Sequence, residues 1–341
     1  LAERLPGRDL VITDLANVRY LTGFSGSNAV LRMGADGEEI LGTDGRYIDQ
    51  VAAQAPDVPV IIDRDTMTAV TATLGRRPSA VEASCPIGDG EAMRTMGLDI
   101  VVAPALIEEL RMRKDPIELA ALERACGITV AAFAALAAEI SVGATELSLA
   151  RRLEQLFGEL GAEDRAFETI VGSGPNSAIP HHEPGQRALQ PGDLVVIDAG
   201  AKVDGYHADM TRTFVVGAPP EAWQSDVHAL VSRAQEKATA GYVRGAEAQA
   251  IDSLARTVIE DGGMGEQFTH GLGHGVGLQI HEAPMLSGSA TGSIDATMAI
   301  TVEPGIYLPG RGGVRIEDTL VVTDAGPRIL TEASRDLVVV G

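Results

Sequence analysis

Leu194-Val-Val-Ile-Asp198-Ala-Gly200 and Met298-Ala-Ile-Thr-Val-Glu303-Pro-Gly305 are the two stretches whose reading decides the fold. Each is an apolar run of strand character that ends in an acid and a glycine-containing turn. An acid at the end of a buried strand is costly to desolvate unless it is paired or holds a cation. The surroundings of the two stretches repeat as well. Val142-Gly-Ala144 opens a helix before the first, and Arg244-Gly-Ala246 opens one before the second. Asp209-Met-Thr211 follows the first as Glu317-Asp-Thr319 follows the second. The three offsets are 102, 105 and 108 residues, a drift small enough to indicate an internal duplication. Two related halves would then each bring a pair of strand-borne carboxylates to one central site.

Outward from this core, residues 1–105 read as a smaller α/β domain. Short strands are expected over 10–13, 29–33, 39–43, 58–62 and 98–103, and the turn Asp44-Gly-Arg-Tyr47 leads into a helix ending near Gln54. The boundary falls between Ala103 and Asp115. Asp115-Pro116 combines an N-cap with a proline at the first helical position. The helix it opens carries Leu122, Ala125, Cys126, Thr129, Phe133, Leu136 and Ile140 on one face. A second helix is expected over 145–160, and a corresponding pair over 222–244 and 246–260. The fold class is therefore α+β, with a duplicated catalytic domain over 106–341.

Composition removes several functional classes. A formal charge of −21 argues against nucleic acid and against an anionic membrane surface as partners. No apolar run reaches the length of a membrane-spanning helix, and the Ala-rich stretch 128–138 reads as a buried helix. The two cysteines, Cys85 and Cys126, stand far apart outside any Cys-x-x-Cys pattern, so we expect buried thiols and a reducing cytoplasm. Leu1 is not an initiating methionine, and further residues are expected before it.

Chemistry concentrates in Asp198, Asp209, His274, Glu303 and Glu317. Any one of these acids alone is an ordinary turn or cap residue. Four carboxylates converging without a cation would repel one another, and divalent ions would remove that repulsion. His274 lies in His270-Gly-Leu-Gly-His274-Gly-Val-Gly-Leu-Gln-Ile-His281-Glu282, where three of the seven histidines are interleaved with glycine that permits close backbone approach. His181-His182, after the loop Gly172-Ser-Gly-Pro-Asn-Ser-Ala-Ile-Pro180, offer a second histidine entry into a cleft.

Asp198-Ala-Gly, Asp209-Met-Thr-Arg-Thr, the segment from His270 to Glu282, Thr301-Val-Glu-Pro-Gly-Ile-Tyr307 and Arg315-Ile-Glu-Asp318 resemble the pita-bread metallopeptidases, and most closely their Xaa-Pro dipeptidase (prolidase) and Xaa-Pro aminopeptidase branches. Asn17-Val-Arg-Tyr-Leu-Thr-Gly-Phe-Ser-Gly-Ser-Asn28 and Thr43-Asp-Gly-Arg-Tyr47 resemble the creatinase-like N-terminal domain of small bacterial members. The resemblance implies a pita-bread domain with pseudo-twofold symmetry. It also implies two divalent metal ions held by Asp198, Asp209, His274, Glu303 and Glu317, with Asp209 and Glu317 bridging. His181 and His281 would steady the scissile carbonyl, His270 would line the substrate pocket, and Arg315 would meet a substrate carboxylate. It further implies short proline-containing peptides as substrates and a homodimer. The oxygen-rich donor set favours manganese, with cobalt, iron or zinc as alternatives. Glu303 would move the proton between nucleophile and leaving nitrogen. The compact length favours the dipeptidase over the aminopeptidase. Arg46 is a further candidate for the substrate carboxylate, against the plainer reading that it pairs with a nearby acid and holds its turn. Methionine aminopeptidase, a metal-free creatinase-like hydrolase and a non-catalytic peptide-binding module on the same fold are the competing readings. The last two would lose ligand positions that this chain keeps.

Overall fold

The computed structural model describes residues 4–341 and divides the chain into two compact units, the first running to Arg111 and the second beginning at Met112. Strands in the first unit lie in the spatial order Val60–Ile62, Glu39–Thr43, Val30–Met33, Asp9–Ile12, Ser79–Val81 and Ile100–Val102. Alternation along Asp9–Ile12 sends Leu10 and Ile12 into one apolar cluster and Val11 into another, so both faces of the sheet are covered. Helices Leu15–Thr22, Thr66–Ala72 and Ile87–Thr95 supply part of that cover and were not foreseen from the sequence. The first is started by Asp14, whose carboxylate accepts from the Ala16 and Asn17 amides. Leu106 and Ile107, in the helix Leu106–Arg111, belong to the core of this unit. The partition therefore falls six residues beyond the expected 105.

The second unit is built twice over. Helix Pro116–Ala137 begins with a full capping box, Asp115 on the Glu118 amide and Glu118 on the Asp115 amide. It is long and apolar enough to cross a membrane by length and composition. Here, however, it buries Leu122, Ala125, Cys126, Phe133 and Leu136 against protein. Together with helix Glu146–Glu159 it covers the strands Ile170–Ser173, Leu194–Ala199 and Met210–Val216 through one apolar cluster. Helices Ala222–Thr239 and Ala248–Asp261 cover the strands Ala299–Val302 and Asp318–Thr323 through another. Helix Ala222–Thr239 stops earlier than the expected residue 244. The turn after it brings Gly241 so close to Leu254 that an added Cβ would lie 2.4 Å from the Leu254 side chain.

Each half pairs its two acid-bearing strands antiparallel. Thr211 stands opposite Asp198 in the first pair, and Thr301 opposite Thr319 in the second. Side chains alternate across such strands, so this register fixes the face from which each acid projects. Gly200, immediately after the strand Leu194–Ala199, lies against the backbone of Ala208. A Cβ there would sit 1.7 Å from the Ala208 carbonyl oxygen.

Candidate metal centre

Asp198, Asp209, His274, Glu303 and Glu317 line one cleft of about 520 Å³. Asp198 lies in the strand Leu194–Ala199, Asp209 immediately before Met210–Val216, and Glu317 immediately before Asp318–Thr323. Glu303 follows Ala299–Val302, and His274 sits in Gly273–Gly275. The glycines flanking His274 are dictated by packing. A Cβ at position 273 would lie 2.2 Å from the Thr301 carbonyl oxygen, and one at 275 would lie 2.3 Å from that of Ala283. Only glycine lets the strand carry the imidazole this close to its neighbours.

Charge is badly balanced in this cleft. Four carboxylates face a single buried guanidinium, Arg315, whose Nη2 donates to Asp198 Oδ2 at 2.7 Å. Burial, followed by repulsion from neighbouring carboxylates, raises the Asp209 and Glu317 carboxyls well above the ordinary range. Burial pushes Glu303 up to about 8. Burial likewise lowers His274 to about 4. Its Nδ1 lies 3.1 Å from the Gly275 carbonyl oxygen, which can only accept. The proton is thus assigned to Nδ1, and the Nε2 lone pair faces Glu303 Oε1 at 3.4 Å and Asp209 Oδ2 at 3.6 Å. A lone pair aimed at carboxylate oxygens is repulsive unless a cation lies between them.

Two further oxygens, Asp198 Oδ1 and Asp209 Oδ1, are buried with no hydrogen-bond partner. Potential ligand atoms of Asp209, His274 and Glu317 lie within 4.8 Å of one another. Divalent cations fit this donor set: unpartnered carboxylate oxygens, an imidazole lone pair turned toward them, and an excess of negative charge.

The surrounding residues orient these groups. Thr211 donates its hydroxyl to Glu317 Oε2 at 2.6 Å and accepts from Arg315 Nε at 3.1 Å. Arg315 Nη1 donates to the Tyr307 hydroxyl at 2.8 Å and to the Pro180 carbonyl at 3.3 Å. Four of its five N–H groups are therefore spoken for. One N–H remains for the substrate carboxylate that the sequence reading expected Arg315 to meet, and the side chain also serves Asp198. The Tyr307 hydroxyl lies 2.9 Å from His270 Nε2, while His270 Nδ1 faces the Gly271 carbonyl. Tyr307 thus donates to an imidazole that burial lowers to about 4. Sequence reading assigned no role to Thr211 or Tyr307, although both lie inside the quoted motifs.

His281 packs its ring 4.4 Å from that of His274. His181 lines the same cleft and also a second recess of about 350 Å³, where it is joined by His270 and Arg315. Asp198, His274 and Glu303 border both spaces. Arg46 belongs to the first unit. It forks onto Asp44 at 2.9 and 2.8 Å with its side chain 67% exposed, the arrangement of a residue holding its own turn.

Comparison with known proteins agrees with this geometry. Residues 120–324 match the model of metallopeptidase family M24, and residues 9–113 match the creatinase/prolidase N-terminal domain. An Xaa-Pro dipeptidase from Pyrococcus horikoshii is 38% identical over 85% of this chain and 83% of its own length. The solved structure of an Xaa-Pro dipeptidase from Bacillus anthracis superposes with a TM-score of 0.94 at 31% identity, covering 99% of both chains. That of an X-Pro aminopeptidase from Thermotoga maritima reaches 0.90 at 33% identity, again over 99% of both. With the family model matching more than half of its length and relatives above 30% identity covering most of it, the chain belongs to metallopeptidase family M24.

Proposed function

We propose that this enzyme is an Xaa-Pro dipeptidase that hydrolyses the bond between an N-terminal residue and a following proline, using two divalent metal ions, manganese in the first place. The observation that carries the reading is the convergence of Asp198, Asp209, His274, Glu303 and Glu317 on one cleft. The names of the relatives, at this identity and coverage, supply the substrate class.

Divalent cations held by Asp198, Asp209, His274, Glu303 and Glu317 would supply an ionised water as nucleophile near neutral pH and would polarise the scissile carbonyl. The chain's own groups do the rest. Glu303, which borders both the cleft and the recess, carries the proton from nucleophile to leaving nitrogen. This transfer matters for an Xaa-Pro bond, whose nitrogen has no hydrogen of its own and must acquire one before it departs. His181 and His281, both on the cleft wall, donate to the carbonyl oxygen as it gains negative charge. The acid cluster holds the substrate's α-ammonium. Arg315 holds Asp198 in place, and His270 lines the recess beside it. The homodimer rests on family resemblance, and the reducing cytoplasm on two cysteines that form no disulfide.

The test is a comparison of purified protein, supplied with manganese, on an Xaa-Pro dipeptide and an Xaa-Pro-Xaa tripeptide, with Asp209→Ala as the blank. Proline release from the dipeptide alone is expected. Preferential cleavage of the tripeptide would make the enzyme an aminopeptidase, the reading that the Thermotoga maritima neighbour keeps open. Inactivity on both with manganese, cobalt and zinc would sink the Xaa-Pro assignment.

A further inference from the structure

The carboxylate of Glu146 is fully buried, yet neither Lys nor Arg hydrogen-bonds to it. Its Oε1 accepts from the Ser173 amide at 2.8 Å, the Ser173 hydroxyl at 2.7 Å and Asn176 Nδ2 at 2.9 Å. Its Oε2 accepts from the Gly185 amide at 3.2 Å and from His182 Nε2 at 2.9 Å. One side chain therefore pins both ends of the loop that carries His181 and His182. A buried carboxylate survives only when hydrogen-bonded this fully. Here the bonds hold a specific histidine, because Nε2 of His182 must donate to Glu146, which leaves Nδ1 as an acceptor. No protein partner for Nδ1 is found among the described residues. His182 is only 16% exposed in its side chain and lines the larger cleft but not the smaller recess.

The two spaces share His181, Asp198, His274 and Glu303, so a substrate whose scissile bond lies over these residues extends one residue to each side. The smaller recess, of about 350 Å³, is lined in part by Pro180, Gly271, Gly273 and Leu286, a compact space suited to one invariant ring. The larger cleft is lined by the apolar side chains Phe167, Ile170 and Ile280 together with His182 and the exposed Glu183. That combination of surfaces matches a first residue with a long aliphatic stem and a hydrogen-bond-donating tip.

We infer that His182, oriented by Glu146, is a specificity-determining residue that contacts the side chain of the substrate's first residue and favours lysine-like side chains there. The inference rests on the Xaa-Pro reading. Glu146 touches no substrate and is a positioning residue.

Three dipeptides separate the possibilities: Lys-Pro, norleucyl-Pro, which keeps the stem without the charged tip, and Gly-Pro, which has no side chain to contact. His182→Ala is expected to lower kcat/KM for Lys-Pro about three- to tenfold, the range of one hydrogen bond, acting through KM. The same variant is expected to leave Gly-Pro unchanged and to bring Lys-Pro level with norleucyl-Pro. His182→Gln, which retains an acceptor, should recover most of the loss. Glu146→Gln should depress all three substrates, because the loop bearing His181 loosens with it. Equal losses on all three dipeptides for His182→Ala, or none on any, would overturn the inference while leaving the Xaa-Pro activity standing. A wild-type enzyme inert on all three would defeat the proposed function itself, and the inference would fall with it.

Discussion

Thr211 is the smallest side chain whose loss should damage the metal centre, and Thr211→Val isolates its hydroxyl. The residue is completely buried, and valine has nearly its shape, so the change removes polarity rather than volume. Two bonds disappear. The first is the 2.6 Å donation to Glu317 Oε2, worth about 0.5–1.5 kcal/mol while burial and neighbouring carboxylates favour the uncharged acid in the metal-free fold. The second is the acceptor for Arg315 Nε at 3.1 Å, and an N–H left unpaired in the interior costs about 1–3 kcal/mol. Together these predict a loss of roughly 2–4 kcal/mol in the metal-free fold. Glu317 also loses the contact that sets its orientation, and outer contacts of this kind change metal affinity by about 10–100-fold. Urea unfolding of metal-free protein reads the first quantity, and calorimetric titration with manganese reads the second. Thr211→Ser is the control, since it keeps the hydroxyl and loses only a methyl. If valine and serine variants unfold at the same urea concentration and bind manganese equally well, the assigned bridge between Glu317 and Arg315 is wrong.

Two other outcomes follow from the structure. Gly200→Ala places a methyl 1.7 Å from the Ala208 carbonyl oxygen, backbone that cannot step aside, so a loss of about 3 kcal/mol or more is expected in the denaturant midpoint. A wild-type midpoint would refute the close approach of these strands. His228 is held below its ordinary value of 6.5 chiefly by burial. The unfolded chain therefore takes up the proton first. Stability is full above about pH 6.5 and falls as pH drops from there toward the lower folded value. His228→Gln should flatten that slope between about pH 5 and 7 in unfolding curves, and an unchanged slope would remove His228 as its source.

What the sequence conveyed about this molecule was local. Asp115-Pro116 and Thr145 announced their helices because a cap acts on amides two or three residues away. The apolar runs before Asp198 and Glu303 announced buried strands, and the repetition of acid, glycine and threonine at nearly constant offset announced two related halves. The helix Leu15–Thr22 escaped notice because its eight residues mix Asn17, Arg19 and Thr22 with apolar ones, leaving no long periodic face to read.

Pairings over long chain separations belonged to the tertiary structure alone. Arg315 gives four of its N–H groups to Asp198, Thr211, Tyr307 and Pro180, three of them more than a hundred residues away. For Arg46 the plainer sequence reading, a pairing with a nearby acid, is what its fork onto Asp44 matches. Glu146 reads in sequence as an ordinary helix-first-turn acid, and only the return of the chain to Ser173, His182 and Gly185 makes it the anchor of a loop. The residue types and their rhythm thus determined which groups could bind metal and on what scaffold. Which donor meets which acceptor was decided by strand register and loop closure, because a hydrogen bond depends on tenths of an ångström that no spacing along the chain encodes.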